Sequence, residues 1–421
     1  MITSIRLVNF KNFADETLRV GPFTVIVGAN ASGKSNIRDA FRFLHGIGRG
    51  YTLAEIFGGK REAGWQPIRG AMNEIVRFGQ SSFALEVQMD LAVLELDEKR
   101  LCYLIELGRD EETGAFHMRK EELRDESAVI YTSAPRQEEP RVAVTWLQLG
   151  PDSKVRQPQV HRVDQPALLG FFSFGRFIER EELPIFQKIN FLHDVLDRMR
   201  FLELSPERMR EPALPGATVL GDSGENLPVV LRDICADPER EKILVSWVAE
   251  LTPMDVTGFA FPTDPSGRVH LTLCEANGRK VSAYSASDGT LRFLAMLAAL
   301  LGDNPSALYF FEEMDTGIHP ARQWLLLDLI EKQAAKRGIQ IVTTTHSPDL
   351  LTFVNDSTFE HLSVVCRLED SHDAIVRPVS QLPNAEKLRT TQGGLGRLLT
   401  SRWMETALAF TEGYGEAGDG V

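Results

Sequence analysis

The chain has 421 residues, 43% hydrophobic and 25% charged, a balance that supports a large buried core and excludes a disordered or fibrous protein. Its net charge of −13 excludes a surface that is basic throughout, as a dedicated nucleic-acid coat would be, and leaves only a local basic stripe to consider. The four cysteines, Cys102, Cys235, Cys274 and Cys366, form no CxxC pair, which excludes the zinc and thioredoxin-type motifs and fits a reducing cytoplasm.

In chain order, the first ten residues read as a strand and not as a leader peptide. Phe23 to Val27 is a β-branched run of the buried-strand type. A loop follows at once. A helix opens near Lys34, with Ile37, Phe41 and Leu44 on one face, and closes at Gly46 and Gly48. Residues 50–80 read as a Gly-rich surface connection. From Phe83 to Val93 the apolar period is two; Leu101 to Leu107 repeats it, and Val142, Val144 and Trp146 do so more briefly. This predicts an antiparallel sheet with hairpins. The charge-dense stretch Arg109 to Glu126 reads as an exposed hairpin tip or loop.

Pro184 to Leu204 reads as one amphipathic helix, closed by Ser205-Pro206, whose stripe Ile185, Ile189, Leu192, Leu196 and Met199 packs on a core. A loop over 212–225 precedes helices at Leu227 to Cys235 and Glu239 to Glu250. From Val269 strands return: Ala307 to Phe311 is a buried strand, Gln323 to Lys336 a helix, and Ile339 to Thr343 a second buried strand. The longest fully apolar run, Phe293 to Leu301, is too short to span a bilayer, so the expectation is a cytoplasmic protein without membrane contact. A helix near Trp403 to Phe410 and a frayed Gly- and acid-rich string close the chain. The expected organisation is an α/β core split in sequence into 1–80 and 266–380. An antiparallel sheet and helical lobe are inserted over 81–265, and a helical tail spans 381–421.

Gly28-Ala29-Asn30-Ala31-Ser32-Gly33-Lys34-Ser35 fits GxxxxGK[ST] and lies between a buried strand and an amphipathic helix. The glycines permit backbone angles that side chains block, so successive N–H groups turn inward on phosphate. The helix N-terminus adds partial positive charge. Lys34 is expected on the β- and γ-phosphates and the Ser35 hydroxyl on Mg²⁺, with Asn36 beside them. The strand Ala307 to Phe311 delivers Glu312 and Glu313 at its C-terminal end, where ligands bind in such sheets. Glu312 is the candidate Mg²⁺ ligand and Glu313 the candidate general base. His346 follows the next strand and is the candidate γ-phosphate sensor. Ser287-Asp288-Gly289 opens an apolar helix, as a second anion-binding N-terminus or as a plain N-cap.

These pieces in this order resemble the ABC-type ATPase heads, in the prokaryotic branch with RecF, SMC and OLD-like ATPases. SASDGTLRFLAML resembles the signature motif, FFEEMDTGIHP the Walker B strand and D-loop, and TTTHSPDLL the switch-histidine segment. The wording SDGTLR, EE…GIHP and TTHSP is similar to stand-alone bacterial ATPases of anti-phage and DNA-maintenance systems.

The resemblance implies a P-loop NTPase fold of ABC-head type, with ATP and Mg²⁺ as cofactors. It implies a homodimer, or a higher homo-oligomer, in which Ser287, Asp288 and Gly289 of one chain meet the ATP held by Lys34 of the other. It implies a separately encoded partner, a nuclease among the options, and leaves direct DNA binding open. Met314 stands where a proline is usual, and the Q-loop glutamine is Gln165 or Gln80. The segment after His346 is too short for the Toprim nuclease domain of OLD proteins, which puts any nuclease on another chain. A membrane-transporter subunit is disfavoured, because its signature follows the P-loop far more closely. The alternative that stands is a non-hydrolysing ATP sensor that scaffolds an effector.

Overall fold

The computed structural model describes residues 1–59, 65–136, 142–147, 159–174, 183–252, 254–367, 373–391 and 394–413. The expected frayed string at 414–421 lies outside them. The strands are β1 (Ile2–Phe10), β2 (Phe13–Arg19), β3 (Phe23–Val27), β4 (Ser82–Asp90), β5 (Arg100–Arg109), β6 (Phe116–Asp125), β7 (Val129–Pro135), β8 (Val142–Leu147), β9 (Gln159–Arg162), β10 (Met199–Leu202), β11 (Val256–Ala260), β12 (Thr272–Glu275), β13 (Lys280–Ser282), β14 (Leu308–Glu312), β15 (Gln340–Thr344), β16 (Leu362–Arg367) and β17 (Ala374–Pro378). The helices are α1 (Lys34–Gly48), α2 (Leu53–Gly58), α3 (Leu183–Asp197), α4 (Pro206–Arg210), α5 (Leu227–Ile234), α6 (Pro238–Leu251), α7 (Asp288–Leu301), α8 (Gln323–Arg337), α9 (Pro348–Thr352), α10 (Asp356–Phe359), α11 (Ala385–Thr391), α12 (Gly394–Thr400) and α13 (Trp403–Gly413).

Two compact units result. One comprises Met1–Met199, Ser357–Glu386 and Arg402–Val421; the other comprises Arg200–Asp356 and Lys387–Ser401.

The first unit is built on the strand order β3-β16-β17-β2-β1-β4-β5-β6-β7-β8-β9. All five residues of β3 are buried, as expected of a strand covered on both faces, and β3 runs parallel to β16. From β4 onward the pairing is antiparallel, and the period-two alternation puts Phe83, Leu85, Val87 and Met89 in the core. Helix α1 is buried over most of its length and packs on α3.

The second unit holds β14 and β15 in parallel register, from Leu308 opposite Gln340 to Glu312 opposite Thr344, with β10 beside β14. A separate antiparallel sheet has the order β11-β12-β13. Every residue of α7 from Phe293 to Leu301 is buried, with α5 and α6 packed against it, so the longest apolar run is a core helix. No helix among the described residues is long and apolar enough to cross a membrane.

Four expectations are corrected. A strand, β2, lies between the first strand and β3; its core-facing Glu16 is held by Arg377 at 2.5 Å and by the Val376 N–H at 2.9 Å. The connection over 50–80 is partly structured: Thr52 and Glu55 form a capping box that starts α2, and Ile68, Ile75 and Val76 are buried. Most of Arg109 to Glu126 is strand β6, paired with β5 along its length. Its Glu121 is fully buried and accepts from the Ala167 and Leu168 N–H groups at 2.6 and 3.1 Å and from the Tyr103 and Tyr131 hydroxyls at 3.2 and 2.9 Å. Burial raises the carboxyl's pKa even against those four donors. Finally, the helix expected to reach Leu204 stops at Asp197, and Met199–Leu202 is strand β10, which buries Met199, Phe201 and Leu202.

Candidate functional site

In the first unit, β3 ends at Val27 and α1 starts at Lys34, so residues 28–33 form the turn. Gly28 has φ +150°, and a Cβ there would sit 2.2 Å from the Val365 carbonyl oxygen on β16. Gly33 has φ +119°, and a Cβ there would meet the Asn12 amide at 3.0 Å. Ala31 is left-handed at φ 61°, a conformation that costs a residue with a Cβ about 1 kcal/mol or more. The motif's glycines thus stand where the backbone requires them.

Among the described residues no side chain caps α1, and its first turn carries no acid, so its partial positive charge is left for an anion. Ala29, Asn30, Ala31 and Ser35 are exposed, whereas Ser32, Gly33 and Lys34 are buried. The Ser32 Oγ is buried without a hydrogen-bond partner, an orphan donor of the kind a phosphate oxygen satisfies. Lys34 Nζ donates to the Gly28 and Ala29 carbonyls, both at 2.7 Å, so the ammonium rests on its own loop.

Further residues brace this loop. Asn36 Nδ2 donates to Asn12 Oδ1 at 2.7 Å, and Asn12 Nδ2 reaches the Ser32 carbonyl at 3.4 Å. Arg69 donates to the Ser35 carbonyl at 2.6 Å and to Asp39 at 3.2 Å, and Lys11 pairs with the same buried Asp39. Burial lowers the Lys11 pKa, with Asp39 opposing that shift. Nothing in the motif points to Asn12, Lys11 or Arg69; a polar residue in the turn after an opening strand was the one available signal. Gln80 and Gln165, the two Q-loop candidates, are both exposed, the first in the turn before β4 and the second in the bend after β9.

In the second unit, Glu312 ends β14 and Glu313 follows with φ 49°. The Glu313 N–H donates to the Thr344 carbonyl at 3.1 Å and to its hydroxyl at 3.3 Å, which fixes the exposed Glu313 at the mouth of the parallel pair. Thr316 Oγ1 donates to Glu313 Oε2 at 3.3 Å. Met314, at the usual proline position, is buried. Asp315 escaped the sequence reading. Burial raises its pKa, the Thr345 hydroxyl opposes the rise, and its Oδ1 is buried with no hydrogen-bond partner. The charge of Glu313 adds to that rise and His346 opposes it, so the three groups share one neighbourhood. His346 is exposed between the buried Thr345 and Ser347, which caps α9 by accepting from the Leu350 N–H at 3.2 Å.

Ser287 caps α7: its Oγ accepts from the Thr290 N–H at 3.1 Å and shares a hydrogen bond with Thr290 Oγ1 at 2.8 Å. The N-cap role weighed from sequence is therefore filled. Asp288 is exposed in the first turn and lies 2.6 Å from Arg210. A Cβ on Gly289 would fall 2.1 Å from the Gly317 carbonyl oxygen, so the start of α7 touches the loop after Glu313 backbone to backbone.

The structure thus groups Gly28 to Asn36 in one unit and Glu312, Glu313, His346 and Ser287 to Gly289 in the other. No cluster of three or more His, Cys, Asp or Glu side chains suited to a metal occurs among the described residues. A Mg²⁺ here would take most of its oxygens from nucleotide and water, which suits this ion and suits the sparse donors Ser35 and Glu312.

A family model described as "AAA domain, putative AbiEii toxin, Type IV TA system" matches residues 23–124 and 257–352, just under half the chain. Those segments contain the P-loop, the turn at Ser287, both glutamates and His346. Similar solved structures include the SMC head domain from Thermotoga maritima, at 15% identity and TM-score 0.42, covering 90% of this chain and 98% of that one. An SMC head bound to the C-terminal winged-helix domain of ScpA is 16% identical at TM-score 0.48, covering 89% and 97%. An Smc head with an extended coiled coil, bound to the C-terminal domain of ScpA and derived from Pyrococcus furiosus, is 14% identical at TM-score 0.46, covering 92% and 98%. No curated protein sequence matches significantly.

Proposed function

We propose that this chain, similar to that AAA family, is an ABC-type ATP-driven switch that closes head to tail as a dimer and opens on hydrolysis. The observation that carries this reading is the P-loop: a strand-to-helix turn pressed by Gly28 against Val365, opening an uncapped helix, with an orphan hydroxyl at Ser32. Such a turn is shaped for a polyphosphate. Residues Gly28 to Ser35 wrap the β- and γ-phosphates, and Lys34 leaves its own carbonyls for them. Ser35 and Glu312 are the residues that would hold Mg²⁺, which supplies neutralising charge to the phosphate oxygens. Glu313 takes the proton of the attacking water, and His346 donates to the γ-phosphate. Ser287 to Gly289 of one copy faces the nucleotide of the other.

The switch acts on a separately encoded partner. The matched family's description as a putative toxin of a type IV toxin–antitoxin system supports a place in such a system, or in anti-phage defence or DNA maintenance.

Steady-state hydrolysis by the full chain, with and without duplex DNA, tests the reading. Mg²⁺-dependent turnover that falls at least about a hundredfold in Glu313→Gln is expected. The same variant should be dimeric with ATP and monomeric without it. ATP binding without turnover in the native chain would overturn hydrolysis and leave a sensor. Absence of ATP binding would overturn the whole assignment. Stimulation by DNA would identify DNA as the direct target.

A further inference from the structure

The turn before α7 is electrostatically odd. A helix N-terminus carries partial positive charge and suits an anion. Here the Ser287 hydroxyl is already spent on the N-cap, and the first helical residue is an acid. The Asp288 side chain is 68% exposed, so alone it would repel an incoming triphosphate. Arg210 alters that balance. It ends α4, whose Met209 is fully buried and which packs against α7. Its Nη2 donates to Asp288 Oδ1 at 2.6 Å and to the Ala286 carbonyl at 3.0 Å. One guanidinium therefore neutralises the acid and holds the backbone on the other side of the cap. Its own side chain is 21% exposed, so the charge is held in place and not free to swing away.

We propose that Arg210 is a positioning residue that cancels Asp288 and so makes the turn from Ala286 to Gly289 able to meet the triphosphate of a second copy. This rests on the head-to-tail reading above. The pair gates association through charge. Removing the cation alone leaves a bare carboxylate facing the phosphates, whereas removing both charges leaves a neutral N-terminus.

The test is the dimer dissociation constant of the full chain in the Glu313→Gln background with ATP, from sedimentation velocity. Arg210→Ala is expected to weaken the dimer about tenfold or more at low salt, as for an uncompensated like charge in an interface. The deficit should shrink at about 0.5 M salt, where such repulsion is screened. Adding Asp288→Ala to Arg210→Ala should return the affinity to within about threefold of the parent, a coupling expected only if the two charges act as a unit. Binding of a fluorescent ATP analogue to the monomer should be equal in all three proteins. A double variant no better than Arg210→Ala, with a salt-insensitive deficit, would overturn the proposal and leave Arg210 a structural brace. Lost nucleotide binding in Arg210→Ala would also overturn it. A parent that stays monomeric with ATP would sink the head-to-tail reading and this inference with it.

Discussion

Gly28→Ala should break the phosphate loop through a clash that can be sized in advance. The new Cβ would lie 2.2 Å from the Val365 carbonyl oxygen and 3.0 Å from Ser32 Oγ. The serine can rotate. The carbonyl cannot, because β16 is paired on both sides, with Val364 opposite Val27 of β3 and Val365 opposite Val376 of β17. Relief therefore requires the end of β3 to move off β16. A backbone held at φ +150° adds strain for any residue with a Cβ. Overpacking and backbone strain together put the cost at about 2–6 kcal/mol. Gly267→Ala is the matched control: φ is +81°, but nothing lies within 4 Å of the added Cβ, so only the strain remains. Urea titrations of the native chain and both variants, with and without ATP, read both effects. ATP at about a hundred times its Kd should stabilise the native chain by about 2.7 kcal/mol. That increment should survive in Gly267→Ala and vanish in Gly28→Ala. A Gly28→Ala chain with native stability and a full ATP increment would refute the steric account of the loop.

Other outcomes can be checked as directly. Lys34→Ala should abolish the ATP-dependent rise in melting temperature and change the nucleotide-free melting temperature far less, because two of the bonds lost run to the Gly28 and Ala29 carbonyls of its own loop. Lys188 is buried at 2.6 Å from Asp125 and 2.9 Å from Glu98, and Lys188→Met should cost about 3–5 kcal/mol by stranding a buried carboxylate. The Asp125 and Glu98 pKa values are lowered in the fold and that of Lys188 is raised. The network's contribution is therefore present above the ordinary carboxylate values, fades as pH falls below them, and fades again as pH rises past the ordinary lysine value. Denaturation of Lys188→Met between pH 3 and 7 (roughly the carboxylate range) should show a flatter pH dependence than the native chain. Burial pushes the Cys102 thiol up to about 11 and the Cys235 thiol up to about 12. Iodoacetamide at pH near 8 (about the free-thiol value) should therefore label both far more slowly in the folded chain than in urea, as mass spectrometry would show.

The elements around the proposed chemistry were the most legible. β3 has the bounds read from its β-branched run, and β14 and β15 lie within a residue of theirs. Continuous apolar runs between glycines and acids leave little choice of structure. The misses share one cause: their side chains are satisfied by partners remote in sequence. β2 reads as polar because the partner of Glu16 is Arg377. β6 reads as a charged loop because the donors to Glu121 come from β5, β7 and the turn at Ala167. β10 passed for helix because Met199 continued the apolar stripe; the alternation of Met199 and Phe201 with Arg198 and Arg200 was too short to outweigh it. α2 could have been found, since Thr52-x-x-Glu55 is a capping-box signal inside a Gly-rich stretch. Arg210 could not, because nothing local ties it to Asp288, far along the chain.

The contact between Gly28 and Val365 has a bearing on how the protein is made. The loop emerges from the ribosome more than three hundred residues before the strand it leans on. Until β16 is synthesised, β3 lacks that parallel neighbour and the turn has no wall to form against. Pairing of this kind closes a very long loop of chain and is correspondingly slow. Nascent chains, and fragments from premature termination, would carry the complete motif without the shape that grips phosphate. Competence to bind nucleotide would then arrive late and all at once.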